Sequence, residues 1–219
     1  MRGPAFLAVR ALRPLGVHAE WVAVIERPTG PAGDAPPGFG WAGPADLDLL
    51  AGLGEDRPAL RARLERGDRV ATVVDGGRLV AYAWYRRAGD RGPGLRFEIE
   101  PAAVWGYDVE VAPSHRGRGV ARTLLDRASA DLGAAGAARV VSTADALNCA
   151  ALRLAERRGA RRLGTVLVVG CAGLTLRREA WAGRRPRWAL DAGPGSVPVP
   201  ATARTRPPAP ASGGRPAST

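Results

Sequence analysis

The chain has 219 residues, 46% of them hydrophobic, which is enough to bury the core of one folded domain. Its formal net charge is +11 and every one of its 32 basic residues is arginine; because alanine, glycine and proline are also abundant, GC-rich coding explains this bias better than nucleic-acid binding does. Two isolated cysteines and two isolated histidines exclude a disulfide framework and metal-ligand spacing, and no stretch approaches the ~20 apolar residues of a membrane span, so we expect a soluble, cytoplasmic, metal-free protein.

The first part of the chain carries weak patterns. Residues 19–26 predict a short strand, and the Gly- and Pro-rich residues 27–44 predict a loop. Helical spacing follows in residues 45–53 and 57–67. We therefore expect one strand and then two short helices.

The middle of the chain carries the clearest local signal. Residues 69–74 and 78–88 flank Asp75-Gly76-Gly77, which predicts a tight hairpin because Asp-Gly supplies the positive backbone angles of such a turn. A further strand is predicted over residues 103–111. The helix predicted from about Arg118 to Leu132 places Val120, Leu124, Ala128 and Leu132 on one face.

The last folded part is predicted as strand 139–144, helix 148–159, strand 161–170 and a possible strand at 174–178. The order of elements predicts a mixed α/β domain over residues 1–181. From residue 182 to 219 proline recurs and little remains to bury, so we predict a disordered Pro/Ala/Arg-rich tail. That tail holds six arginines: Arg184, Arg185, Arg187, Arg204, Arg206 and Arg215.

The stretch VEVAPSHRGRGVA, residues 109–121, joins a predicted strand to a predicted helix. The first free N–H groups of a helix and the positive end of its dipole attract phosphate. Gly117 and Gly119 lack the β-carbons that would keep a ligand from those amides, and Arg116, Arg118 and Arg122 add positive charge. On this stretch alone, a pyrophosphate site and a solvated turn both stay open.

Two motifs together resemble a known family. Residues 111–121 resemble motif A of the GNAT superfamily of N-acetyltransferases, V-x-P-x-x-R/Q-x-x-G-x-G/A, and residues 148–160 resemble its motif B, N-x-x-A-x-x-L-Y-x-x-x-G-F. Two motifs in the right order are far more specific than one. The resemblance covers residues 70–170, most firmly 103–169, and does not extend to the tail.

The resemblance implies a GNAT-like, mostly antiparallel central sheet flanked by helices, with a splayed central strand. It also implies transfer of an acetyl group from acetyl-CoA to a primary amine of a small molecule or protein. The backbone of Val109, Glu110 and Val111 would pair with the pantetheine arm. Asn148 would reach the cofactor, although an N-cap explains it equally well. The pyrophosphate would be held by Arg116, Gly117, Arg118, Gly119, Val120, Ala121 and Arg122.

The chemistry needs a base for the ammonium proton and a donor for the thioester carbonyl. Asp108 and Glu110 alternate with two valines and so share one strand face; each is a candidate base, and each is equally explained by solvation or by pairing with an arginine. A backbone N–H near Val111 would polarise the carbonyl.

The sequence departs from motif B at two positions, because the family tyrosine falls on Ala155 and the phenylalanine on Ala160. A general acid positioned at the leaving group raises the reaction rate about 10²- to 10⁴-fold. A thiol with a pKa of about 8.5 is nevertheless an adequate leaving group as the unprotonated thiolate. The candidates to replace the missing acid are Tyr82, Tyr85 and Tyr107.

Two other functions stay open. Ala155 favours an acyl-CoA-binding sensor without turnover, and the arginines of the tail weakly favour a nucleic-acid binder. Acetyl-CoA and an amine acceptor are the expected partners of a monomer or homodimer; a membrane is not expected, and nucleic acid is the less favoured partner. We expect Cys149 to be a small packed side chain and His115 to be an exposed loop residue without a partner.

Overall fold

The computed structural model describes residues 18–30, 34–53, 56–87, 95–171, 174–192 and 195–200. The strands within them are β1 His18–Pro28, β2 Phe39–Ala42, β3 Arg69–Asp75, β4 Arg78–Arg86, β5 Leu95–Glu98, β6 Ala103–Val111, β7 Arg139–Asp145, β8 Arg161–Cys171, β9 Leu174–Trp181, β10 Arg187–Ala192 and β11 Gly195–Pro198. The α-helices are α1 Leu47–Leu50, α2 Arg57–Glu65, α3 Val120–Ala134 and α4 Cys149–Arg157. Short 3-10 turns lie at Pro44–Asp46, Ala51–Leu53 and Pro113–His115.

Nine strands form one sheet in the order β10-β9-β8-β1-β7-β6-β4-β3-β2. Each neighbouring pair is antiparallel except β6 and β7, which run parallel because α3 carries the chain across one face between them. The predicted mixed, mostly antiparallel sheet with flanking helices is therefore confirmed. The predicted strands at 69–74, 103–111, 139–144, 161–170 and 174–178 all lie in it, and the one predicted at 78–88 lies in it as far as Arg86.

The first strand of the chain lies in the middle of this sheet. β1 pairs with β7 on one side and with β8 on the other. On β1, Glu26 is buried and accepts hydrogen bonds from Arg139 of β7 and from Arg161 of β8, whose Nη2 lies 2.5 Å from the carboxylate. Arg139 also contacts Glu100, with Nε 3.0 Å from Oε1. Charge pairing thus joins β1 to both of its neighbours at one end of the sheet.

Helices cover both faces of the half of the sheet that contains β3, β4 and β6. On one face, Leu124, Ala128 and Leu132 of α3 are buried in a cluster with side chains of β3, β4 and β6, as the predicted helical face requires. On the other face, Leu50 of α1 and Leu60 of α2 pack with Leu79, Tyr82 and Trp84 of β4. The apolar period of each helix therefore sets which face of the sheet it covers.

A second, two-stranded sheet covers the other half of the core. In it β5 pairs in parallel with β11, and Phe97 and Val197 are buried against β1, β7 and β8. The Phe97 ring stacks on Trp105 of β6, with ring centroids 4.8 Å apart.

Two predictions are corrected by these strands. Residues 39–42, placed in a loop because of their Gly- and Pro-rich surroundings, form β2 by pairing with β3. Within the predicted disordered tail 182–219, residues 187–192 and 195–198 are strands, because β9 and β5 offer them open edges. Residues 201–219 lie outside the described residues, so disorder there stays a prediction, as does the domain boundary at 181.

In the part of the chain that the structure describes, no helix combines the length and the apolar character needed to span a bilayer.

We predict that Glu26→Ala lowers the free energy of unfolding by about 3–5 kcal/mol, because it leaves the buried Arg139 guanidinium short of a counter-charge. Asp48→Ala is the matched control: it breaks an exposed pair with Arg57, and we expect a loss of no more than about 1 kcal/mol. Urea unfolding of both variants measures the two losses of unfolding free energy. Equal losses would contradict a larger contribution from the buried pair of Glu26 and Arg139.

Candidate functional site

The site begins where β6 and β7 separate. Their parallel pairing runs from Ala103 to Gly106 on β6 and from Arg139 to Ser142 on β7, although both strands continue further. Residues 107–111 of β6, called here the open edge, therefore have β4 on one side and no strand on the other among the described residues. The expected splayed central strand is present, and it leaves backbone N–H and C=O groups accessible between the two strands.

A bulge bends the open edge. Tyr107 lies opposite Trp84 and Glu110 lies opposite Tyr82, so three steps along β6 match two steps along β4. Asp108 takes up the extra residue with a φ of 44°, a value uncommon for any residue but glycine. The regular alternation expected from residue 108 to 111 is therefore interrupted, and Val109 is left 45% exposed where the strands part.

The glycine turn, residues 116–119, follows the open edge and ends at α3. Gly117 has a φ of 76° and Gly119 a φ of 81°, so both adopt the left-handed conformation that glycine favours. A β-carbon built at either glycine would meet no atom within 4 Å. Gly119 is the N-cap of α3 and no side chain caps the helix, so the first-turn amides, including those of Val120 and Ala121, face an open approach.

The arginines around this turn differ in their contacts. Arg116 donates from Nε to the Val111 carbonyl at 2.9 Å and from Nη2 to Glu110 at 2.8 Å. Arg122 lies 3.7 Å from Asp126 on the next helical turn. Arg118 is exposed and has no ion-pair partner among the described residues. The turn therefore combines accessible amides with positive charge, as an anion site requires.

Both candidate bases are half exposed and ion-paired. Arg63 of α2 lies 2.9 Å from Asp108, and its guanidinium also lies over the rings of Trp84 and Tyr107. Arg116 lies 2.8 Å from Glu110. The pairing with arginine, which the sequence left as an alternative to catalysis, is thus present for both carboxylates.

Asn148 lies after the end of β7, at the same end of the sheet as the glycine turn, because β6 and β7 are parallel. Its side-chain oxygen accepts a hydrogen bond from the Ala151 amide at 3.1 Å. Asn148 is therefore the N-cap of α4, and contact with a cofactor stays a prediction. Ala155, at the position of the family tyrosine, is the buried residue of α4.

The three tyrosines considered as replacement acids are engaged or buried. The Tyr107 hydroxyl donates to Asp68 at 2.6 Å, and burial together with this bond raises the pKa of Tyr107 well above its usual value. Tyr85 lies on the face covered by α3, where burial raises its pKa in the same direction. Tyr82 is buried with Leu50 and Leu60 under α1 and α2.

One contact was missed by the sequence reasoning. His115 was expected to lack a partner, but its Nε2 lies 3.1 Å from Asp75 and its Nδ1 lies 2.9 Å from Ser114 Oγ. Asp75 is the last residue of β3, next to the turn into β4, so this contact joins that hairpin to the loop before the glycine turn. The only sequence signal was a polar turn residue, which does not specify a partner 40 residues away.

Both cysteines are free and exposed, so Cys149 is not the packed side chain that we expected. Within the described ranges, no group of three His, Cys, Asp or Glu side chains is arranged to bind a metal ion.

Comparison with known proteins gives one family. The model of the Acetyltransferase (GNAT) family matches residues 45–160. A putative GNAT acetyltransferase from Novosphingobium aromaticivorans has a TM-score of 0.55 and 23% identity, over 72% of this chain and 68% of that chain. A GNAT acetyltransferase from Colwellia psychrerythraea has a TM-score of 0.53 and 17% identity, over 70% of this chain and 56% of that chain. At these identities the structures establish the fold alone. No curated protein matches the sequence.

We predict that Tyr107→Phe destabilises the protein by about 1–3 kcal/mol, because the buried Asp68 carboxylate loses a hydrogen bond beside the bulge. The loss should be smaller when the same change is made in an Asp68→Asn background. Urea unfolding of the single and double variants measures this coupling; strictly additive losses would contradict it.

Proposed function

The chain belongs to the GNAT family of acetyltransferases, since that family's model covers more than half of it, and we propose that it transfers an acetyl group from acetyl-CoA to a primary amine of a small molecule or protein. The observation that carries this proposal is the glycine turn at the end of the splayed strand. Two left-handed glycines with empty space above them, followed by an uncapped helix, fit a bound diphosphate.

In this proposal the amides of residues 117–122 hold the pyrophosphate of CoA, and Arg118 and Arg122 add charge. The open edge holds the pantetheine arm through main-chain hydrogen bonds at Val109, Glu110 and Val111, as an added strand would. These contacts direct the thioester towards the bulge. There, a backbone N–H of the open edge would stabilise the negative charge that develops on the carbonyl oxygen.

The ion pair between Arg116 and Glu110 links the two halves of this site. Arg116 would also be near the diphosphate, and a guanidinium that turns to a doubly charged ligand gives up its bond to a carboxylate. Glu110 would then be free to take a proton from the acceptor ammonium, which leaves the neutral amine that can attack. Asp108, held by Arg63, would attract the cationic acceptor or act as the alternative base.

The reaction that follows needs no further group from the protein. The neutral amine nitrogen forms a bond to the acetyl carbon, the carbon–sulfur bond breaks, and the second proton of the nitrogen passes to solvent. The sulfur leaves as thiolate, which is stable enough near neutral pH for the lack of tyrosine at Ala155 to lower the rate without preventing the reaction.

A second candidate function is an acyl-CoA sensor that binds without turnover. The observation that favours it is that Ala155 is buried and that the Tyr107 hydroxyl is already bonded to Asp68. Acceptor-dependent release of CoA thiol separates the two functions, because a sensor gives none with any amine.

We predict that Gly119→Val abolishes CoA binding, because the side chain would occupy the phosphate position. Gly183→Val is the matched control: Gly183 also has a left-handed φ, of 72°, and open space, but lies in the β9–β10 turn. Both changes should cost about 1–2 kcal/mol of backbone strain.

Thermal unfolding with and without CoA measures this. At 100 times the dissociation constant, CoA should stabilise the native protein and Gly183→Val by about 2.7 kcal/mol, but not Gly119→Val. A normal shift in Gly119→Val would refute the role of the turn.

We predict that Glu110→Gln removes the acid limb of the kcat/KM profile, because the rate falls at low pH when the base becomes protonated. Asp108→Asn should remove that limb instead if Asp108 is the base. The assay is thiol release with a panel of primary amines across pH, and an unchanged profile in both variants would exclude both carboxylates.

A further inference from the structure

Large apolar side chains are exposed together on one face of the sheet. In the described residues, six of the eight exposed large hydrophobic side chains lie on this face of β1, β8, β9 and β10. Strand register shows that they are neighbours: Leu190 lies opposite Leu176, which lies opposite Val169. The members are Trp21, Val169, Leu174, Leu176, Trp188 and Leu190.

Exposure increases towards the outer strand. Along the row from β8 to β10, the exposed fractions are 37% for Val169, 41% for Leu176 and 67% for Leu190. Trp188, also on β10, is 58% exposed. The most exposed apolar side chains therefore belong to the strand that has a neighbour on one side only.

β10 is an open edge of the sheet. It pairs with β9, and among the described residues no strand pairs with its other side. Edge strands of soluble proteins are normally protected by proline, a bulge or charge, whereas β10 reads RWALDA, has no proline and pairs with β9 in unbroken register. Its acidic residue, Asp191, lies 3.0 Å from the buried Arg177 of β9 and remains about one-third exposed. Such an edge is a template for another strand.

The sequence of β10 is complementary to itself when antiparallel. With a two-fold axis at Ala189, Arg187 of one chain lies opposite Asp191 of the other, and Trp188 lies opposite Leu190, each pair occurring twice. We propose that two copies of this chain pair through β10 in this register and form one continuous sheet. Opposite charges and apolar pairs directly across antiparallel strands stabilise the pairing.

Charge selects this register from its neighbours. A shift of one residue between the two β10 strands would put their apolar side chains on opposite faces of the joined sheet. The nearest alternative registers are therefore shifted by two residues. A shift one way places Trp188 opposite Trp188 and Arg187 opposite Ala189. A shift the other way places Leu190 opposite Leu190 and Asp191 opposite Ala189. Of these three registers, only the one centred on Ala189 pairs both charges, and it also gives Trp188 and Leu190 neighbours on the side away from β9.

The first test is the mass of the full chain in solution over a concentration series, by light scattering or sedimentation. We expect twice the chain mass at high concentration and dissociation on dilution. Arg187→Asp places two carboxylates opposite each other and should raise the dissociation constant about tenfold or more. Arg185→Asp makes the same charge change in the β9–β10 turn and should leave it unchanged.

The second test fixes the register. In a Cys149→Ser, Cys171→Ser background, Ala189→Cys should give a disulfide-linked dimer under oxidising conditions, because directly opposite Cα atoms lie about 4.5–5.5 Å apart. Ala192→Cys is the control: two copies of that residue would lie six residues apart along the strands, about 20 Å, and should not be linked.

Three results would overturn the proposal. The first is a single-chain mass at every concentration, as expected if residues 1–17 or nothing covers this face. The second is a dimer that dissociates equally in the wild type and Arg187→Asp. The third is cross-linking through Ala192→Cys and not through Ala189→Cys.

Discussion

The candidate site depends on β6 keeping its pairing with β4 while losing that with β7 after Gly106. A parallel strand cannot leave its neighbour without exposing a row of amides and carbonyls, which are costly to leave unpaired away from water. The bulge at Asp108 changes the direction of these backbone groups. The glycine turn then continues the row of free backbone groups into the first turn of α3. The candidate site is therefore made mainly of backbone, so the proposed function does not depend directly on the two aromatic residues of the family motif that are alanine here.

Charge controls the rest of the site. Each carboxylate near the bulge is held by an arginine from a different element, Asp108 by Arg63 of α2 and Glu110 by Arg116 of the glycine turn. An anionic ligand at the turn competes for Arg116 alone, so it would change the state of Glu110 and leave Asp108 paired. One ligand would then both occupy the site and release one of its acids.

Local signals in the sequence were sufficient for much of this structure. Asp75-Gly76-Gly77 predicted the hairpin, apolar spacing predicted the buried face of α3, and Gly117 and Gly119 predicted a turn with open space beside its amides, because each property depends on a few adjacent residues. The position of β1 between β7 and β8, the bulge at Asp108, and the bond from His115 to Asp75 depend on residues that are distant in sequence. Strands β10 and β11 were missed because the proline content of the surrounding segment outweighed two short runs that pair with edges already formed.

The central position of β1 has a consequence for synthesis. Glu26 and its partner Arg139 are 113 residues apart in sequence. When β1 leaves the ribosome, neither of its neighbouring strands has been made, and β8 follows only after α4. The hairpin of β3 and β4 can form early, but the nascent chain must carry an unpaired apolar strand through most of translation. We therefore expect this protein to need a chaperone or slow elongation more than a sheet of the same size built from successive hairpins.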